Sequence, residues 1–165
     1  MIDKKYDATI CEAEISKVWE AQKTFQAVRD SQQPLFSIDT PPPTISGSLH
    51  VGHIFSYTQT DIIACFKRLS GFNVFYPFGF DDNGLATERF VEKKHKVSGH
   101  SLGRKAFVDL CLQESHACEK EFEALWKRMG ISADWSQTYS TISPLAQKIS
   151  QQSFLDLYKK GFIYR

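Results

Sequence analysis

Long apolar runs are missing from this chain. No stretch approaches the ~20 consecutive apolar residues that a membrane-spanning helix requires, and the opening Met1-Ile2-Asp3-Lys4-Lys5 leads into no hydrophobic core of a leader peptide, so neither a membrane segment nor a secretory leader is expected. A surplus of one charge is also missing. Twenty Lys and Arg against nineteen Asp and Glu leave a formal net charge of +1. A segment that gripped nucleic acid mainly through its own surface would carry a basic excess or stripe, so charge gives no argument for an RNA partner. Cysteine is sparse, at Cys11, Cys65, Cys111 and Cys118, with no Cys-x-x-Cys pair. Cys111, His116 and Cys118 have part of the spacing of a zinc site, but a fourth ligand is not evident and no metal is expected there. Reduced thiols of this kind point to a cytoplasmic protein. Internal repeats and low-complexity linkers are absent too. What remains is a chain that is 42% hydrophobic and 24% charged, with 13 Phe residues, which supports a packed core and argues against global disorder. At 165 residues it fits one compact domain and leaves no room for a multidomain enzyme.

Periodicity divides the chain into helices and strands in alternation. Ile15, Val18, Trp19, Gln22 and Phe25 share a face and predict a helix over about 8–27. After Gln33-Pro34 the run 35–39 reads as a short buried strand. The next segment holds three consecutive prolines, Pro41 to Pro43, which forbid regular hydrogen bonding and call for a stiff loop of defined course. A second helix is expected over about 50–69, with Gly71 as its stop, followed by an aromatic, alternating strand over 72–78. The loop 79–84 is rich in turn residues, and a short helix starts near Ala86. Ser101 reads as the cap of a long helix with Phe107, Leu110, Cys118, Phe122, Leu125 and Met129 on its buried face. A short extended piece near 131–135 follows. Ser143-Pro144 opens a last helix in cap-then-proline order, Gly161 closes it, and 162–165 reads as the beginning of a strand. Strand, helix, strand and helix in this order predict an α/β fold with a parallel sheet, in which ligands bind at loops following the carboxyl ends of the strands. The proline-rich loop and the loop at Asp81-Asp82-Asn83 are such loops.

The segment Gly47-Ser48-Leu49-His50-Val51-Gly52-His53 lies where loop turns into helix. Two histidines at i and i+3 stand on one helix face beside backbone N–H groups that have no intrahelical acceptor, at the positive end of the dipole. Such a place suits an anion, phosphate above all. Gly52 removes a side chain near the two imidazoles and lets a flat ligand lie on the backbone. Taken alone, the pair is equally readable as half of a metal site or as polar residues at a helix start.

The longer pattern Pro41-Pro42-Pro43-Thr44-Ile45-Ser46-Gly47-Ser48-Leu49-His50-Val51-Gly52-His53 resembles the first signature of class I aminoacyl-tRNA synthetases, the HIGH motif. The triple proline resembles the valine-tRNA ligase branch rather than the isoleucine or leucine ones. Phe78-Gly79-Phe80-Asp81-Asp82-Asn83-Gly84-Leu85-Ala86-Thr87-Glu88 resembles the second conserved stretch of the same branch. Asp134-Trp135-Ser136 and the run from Ser143-Pro144 to Tyr164-Arg165 continue the likeness, which spans essentially the whole chain. Two departures stand out. Thr44 is found where many valine enzymes carry Asn, and Asp82-Asn83 where many carry His-Ala, variants similar to those of a bacterial sub-branch with archaeal-type features.

The resemblance implies a division at residue 33: an N-terminal helical segment over 1–33, then over 34–165 the first half of a Rossmann-like catalytic domain. The editing domain, the second catalytic half with its Lys-Met-Ser-Lys-Ser type loop and the anticodon-binding helices have no counterpart in these residues. It implies ATP-dependent activation of valine and transfer to tRNA(Val), in a full enzyme expected to be monomeric. By itself the segment is expected to be inactive. Catalytic roles fall to His50 and His53, ATP binding to His50, Gly52, His53 and Thr44, and amino-acid binding to Pro42, Pro43 and Asp81. Asp81 would pair with the substrate ammonium, whereas Pro42 and Pro43 would wall off larger side chains. ATP is a substrate, magnesium is expected with it, and no tightly bound cofactor or zinc is implied. tRNA contacts are expected mostly elsewhere. Two alternatives stay open: an isoleucine- or leucine-type ligase segment, and a non-catalytic relic or binding module.

Overall fold

The computed structural model describes residues 6–45 and 49–165. The expected course of the loop at Ser46-Gly47-Ser48 lies outside them. Element order is α1 (Ala8–Gln22), β1 (Leu35–Ser37), α2 (Val51–Leu69), β2 (Asn73–Phe75), β3 (Pro77–Phe80), α3 (Leu85–His95), α4 (Gly99–Leu102), α5 (Arg104–Arg128), β4 (Asp134–Ser140) and α6 (Pro144–Lys159). The alternation of strands and helices is that of an α/β fold, and β1 pairs with β2 in parallel, as expected. β3 pairs with β4.

The residues fall into two compact units. One consists of Met1–Thr40, Ser48–Phe78 and Ala117–Thr138. Its core is aromatic: Trp126 is fully buried and its ring centre lies 4.9 Å from Tyr57 and 6.0 Å from Phe78, with Val74, Tyr76, Phe122 and Ile131 buried in the same unit. Asp61 on α2 accepts from both the N–H and the hydroxyl of Ser132, each at 2.6 Å, while Arg68 donates to the Ser132 hydroxyl at 2.6 Å and to its carbonyl at 2.7 Å. Acid and guanidinium thus share one serine, which satisfies charges that burial would otherwise penalise. The outer stripe of α2 at Val51, Phe55, Ile62, Phe66 and Leu69 is exposed.

Five elements depart from expectation. α1 ends at Gln22, because Lys23 adopts a left-handed φ of 53° and turns its N–H back to Glu20 and Trp19. Phe25 then reaches Trp19 (5.2 Å between ring centres) by chain reversal rather than by one more helical turn. The strand expected over 72–78 is two strands, since Pro77 has no N–H to continue a ladder. Ser101 does not cap the long helix. Ser98 caps the short α4 in a reciprocal pair with Ser101, Gly103 turns the chain at φ 79°, and α5 starts at Arg104. The extended piece near 131–135 is displaced to β4, and 162–165 carries no strand. Ser143 does cap α6, accepting from Ala146 N–H at 3.2 Å ahead of Pro144.

The second unit consists of Pro41–Gly47, Gly79–His116 and Tyr139–Arg165. Ile45, Phe80, Val91 and Phe107 are buried there. Glu114 on α5 accepts from Lys94 (2.5 Å) and pairs with His95 (2.7 Å), both at the end of α3, so His95 is tied to a carboxylate. No helix among the described residues is long and apolar enough to cross a membrane.

Candidate functional site

His50 is the residue immediately before α2, in extended conformation, and His53 is the third helical residue. Their side chains close the start of the helix reciprocally. His50 Nδ1 accepts from the N–H of Gly52 at 3.1 Å, and His53 Nδ1 accepts from the N–H of His50 at 3.4 Å. The rings stack with centroids 4.0 Å apart. Imidazoles therefore do here what Ser and Glu do in an ordinary capping box. The chemistry follows from the acceptor roles. A neutral imidazole that uses Nδ1 as acceptor carries its proton on Nε2, so each ring is a fixed Nε2–H donor. Burial, and then the neighbouring His50, lower the proton affinity of His53 and favour that neutral form. Two N–H donors at a helix N-terminus suit an anionic ligand.

Gly52 has a local reason for being glycine. A Cβ at this position would lie 3.0 Å from His50 Cε1 and 3.1 Å from its Nδ1. A methyl there would require the imidazole to give by a few tenths of an ångström.

The other candidate residues gather in the second unit. Thr44 and Asp81 form an isolated parallel bridge, in which Asp81 N–H donates to the Pro43 carbonyl at 2.9 Å and Ile45 N–H to the Asp81 carbonyl at 3.2 Å. Proline cannot donate, and here Pro43 serves as acceptor, which anchors the described part of the proline-rich loop. Pro43 is buried and Pro42 half-buried. The Asp81 carboxylate is half-buried and held from three sides: Thr44 hydroxyl to Oδ2 at 3.3 Å, Thr141 hydroxyl to Oδ1 at 3.3 Å and Asn83 N–H to Oδ1 at 3.3 Å. Asn83 thereby shapes the turn, and Gly84 continues it at φ 109°. Asp82 points its carboxylate to the Ser140 hydroxyl and is buried, a structural use. Gly79 carries the ring of Tyr139 so closely that a Cβ would fall 2.2 Å from its Cζ.

Thr141 and Ser140 drew no attention in the sequence. They are two hydroxyl residues in a run of small polar ones, 58 to 60 positions from the aspartates they touch. Trp135 is half-buried. It lines, with Trp19, Phe25 and Asp134, a cavity of about 230 Å³ inside the first unit. Among the described residues no three His, Cys, Asp or Glu side chains are placed to hold a metal ion.

Residues 14–165 match the model of class I tRNA synthetases for isoleucine, leucine, methionine and valine. The chain is 48% identical over 163 residues to a valine–tRNA ligase of Rickettsia akari and 47% identical to that of Rickettsia prowazekii, in both cases over 98% of this chain and 20% of the relative. It thus spans about a fifth of the length of the curated relatives it matches. Among solved structures it superposes on the agnB2 LeuRS of Agrobacterium radiobacter K84, from a ternary complex with tRNA and LeuAMS, with a TM-score of 0.82 and 26% identity over 97% of this chain and 19% of that one. The fold is therefore that of the Rossmann-type catalytic domain of these enzymes, here with an N-terminal helix, and the chain resembles an N-terminal segment of valine–tRNA ligases. With a family model matched along nearly its whole length, the chain belongs to the class I tRNA synthetases.

Proposed function

We propose that this chain supplies the HIGH-type half of the active site of a cytoplasmic valine–tRNA ligase, which activates valine with ATP and transfers it to tRNA(Val). The observation that carries the reading is the stacked His50–His53 pair closed into the first turn of α2. In the first step a valine carboxylate oxygen attacks the α-phosphorus of ATP, and pyrophosphate leaves. The nucleophile is already ionised at neutral pH and needs no general base. What the step needs is alignment, with donors where charge grows on the phosphoryl oxygens. The Nε2–H groups of His50 and His53, backed by the helix dipole, are suited to that task, and Gly52 leaves backbone for a flat base to rest on. In the second step the valyl group moves to a hydroxyl of the tRNA's terminal ribose.

Asp81 is the anchor we assign to the valine ammonium, with Pro42 and Pro43 as the wall against larger side chains and Thr44 beside the ATP. Magnesium would arrive bound to the phosphates. Among the described residues no three His, Cys, Asp or Glu side chains are grouped to cage it. Residues 34–165 would form the first half of the catalytic domain and 1–33 a helical lead-in. Residues 1–165 include no Lys-Met-Ser-Lys-Ser type loop, so alone they are expected to be inactive.

Valine is preferred over leucine because the valine–tRNA ligases are 47–48% identical to this chain and the LeuRS 26%. A binding relic would have no use for paired phosphoryl donors. Pyrophosphate exchange by the complete enzyme, measured with valine, isoleucine, leucine and threonine, tests the reading. Valine-dependent exchange is expected, with threonine weaker by ~10². Exchange driven by isoleucine or leucine, or by no amino acid, overturns it.

A further inference from the structure

We propose that Thr141 is a positioning residue for amino-acid binding, because its hydroxyl, together with that of Thr44, holds the Asp81 carboxylate for the substrate ammonium. The inference rests on the proposed role of Asp81 and deepens it. Its basis is the direction of the hydrogen bonds. Thr141 Oγ1 accepts from the Asp82 N–H at 3.1 Å, so a backbone donor occupies one side of the oxygen. The single hydroxyl proton is then aimed at Asp81 Oδ1, 3.3 Å away. On the opposite side Thr44 donates to Oδ2 at 3.3 Å. One carboxylate thus receives a hydroxyl on each oxygen, from positions 37 and 60 residues away in sequence.

A carboxylate on a loop rotates unless something holds it, and an ammonium with three donors gains most from an acceptor fixed in advance. Oδ1 also accepts from the Asn83 N–H at 3.3 Å, whereas Oδ2 keeps a lone pair beyond the one that Thr44 uses. The threonines therefore set the plane of the carboxylate without exhausting its acceptor capacity. A single donor would fix one oxygen and leave the other to swing. The pair also joins the proline-rich loop, through Thr44, to the chain just after β4, through Thr141.

The test uses the complete enzyme with three variants. Thr141→Val removes the hydroxyl at nearly constant volume, Thr141→Ser keeps it, and Thr44→Val releases the other oxygen. Thr141→Val is expected to raise the valine KM about tenfold, the size expected for a hydrogen bond to a charged group, with the ATP KM and kcat near the parental values. Thr141→Ser should restore valine binding to within about twofold. Inhibition by valinol, which keeps the ammonium and lacks the carboxylate, should weaken in parallel with valine. In an Asp81→Ala background Thr141→Val should raise the valine KM no further, because the group it positions is gone.

Equal rises in the valine and ATP constants, failure of Thr141→Ser to rescue, or an undiminished effect in the Asp81→Ala background each overturn the proposal. If Thr141→Val does not fold, Thr141→Ala and Thr141→Ser decide the matter by the same valine-to-ATP comparison. An Asp81→Ala enzyme impaired for valine beside a parental Thr141→Val enzyme refutes the Thr141 role alone. An Asp81→Ala enzyme with parental valine binding refutes the anchor and this inference together.

Discussion

The two groups of candidate residues are built in opposite ways. His50, Gly52 and His53 form their arrangement within four consecutive residues, and the helix they cap supplies all the geometry. The group around Asp81 is assembled from positions 43, 44, 81, 83 and 141, joined by loop backbone and hydroxyls. A local device depends on secondary structure and survives as long as the helix forms. A distributed one depends on the fold, and its precision is only as good as its remote supports.

Replacing either histidine should cause the largest effect. His50→Ala or His53→Ala in the complete enzyme should slow adenylate formation ~10²–10³-fold, the usual cost of losing one donor to developing charge, while leaving valine affinity nearly unchanged. Pre-steady-state adenylate formation measures this. His50→Asn sharpens the point, since asparagine is a good N-cap. It should recover stability and not rate. If it recovers rate, His50 is a cap and nothing more.

On the distributed side, Asp81→Ala should raise the valine KM on the order of 10–100-fold with little change for ATP, as only one substrate carries an amine. Equal effects on both substrates would reduce Asp81 to a loop support and dissolve the contrast. Gly52→Ala probes whether the local device is as self-contained as its contacts suggest. The added methyl requires the His50 ring to give by a few tenths of an ångström, so the rate is expected to fall by roughly tenfold, short of the ~10² that a 1 Å misplacement costs. Circular dichroism should show α2 intact, so a large loss of helix would sink this reading.

The smallest expected effect belongs to Glu114. Hydrogen bonds from Lys94 first, and from His95, hold its carboxyl below the usual range, with partial burial opposing them. A carboxylate with a depressed folded-state value adds stability that is fully present above its unfolded value and is lost as pH falls through the folded one. Glu114→Gln should therefore lower Tm by ~2 °C at pH 7 and by less at pH 3. A constant difference across that range would mean that charge is irrelevant at this contact.

How much of this was legible in the sequence follows from the same contrast. The helix start at His50, the Ser143-Pro144 cap and the Gly71 and Gly161 stops are local signals and were readable. The early end of α1 was not, because Lys23 in a left-handed conformation has no compositional mark, and Phe25 satisfies the apolar periodicity while lying outside the helix. Ser98 and Ser101 are both plausible caps by residue type, and only Gly103 decides that α5 starts later. At the site, the pair of imidazoles was visible as a motif, but its reciprocal capping bonds, which set the ring protons, depend on rotamers. Thr141 was invisible. A lone hydroxyl residue acquires meaning from what the tertiary fold brings beside it, and no spacing rule connects 81 with 141.

The chain has three tryptophans, Trp19, Trp126 and Trp135, and all three belong to the first unit. Trp126 is sealed in the core, whereas Trp19 and Trp135 line the cavity and are half-buried. Indole emission is therefore blind to the second unit. Fluorescence followed through a denaturant titration would track one half of the described residues, and α3 and α6, visible to circular dichroism, would contribute no light. Two probes that give one midpoint would establish a single cooperative transition. Two midpoints would give each unit its own stability, with acrylamide quenching of Trp19 and Trp135 separating cavity opening from core loss.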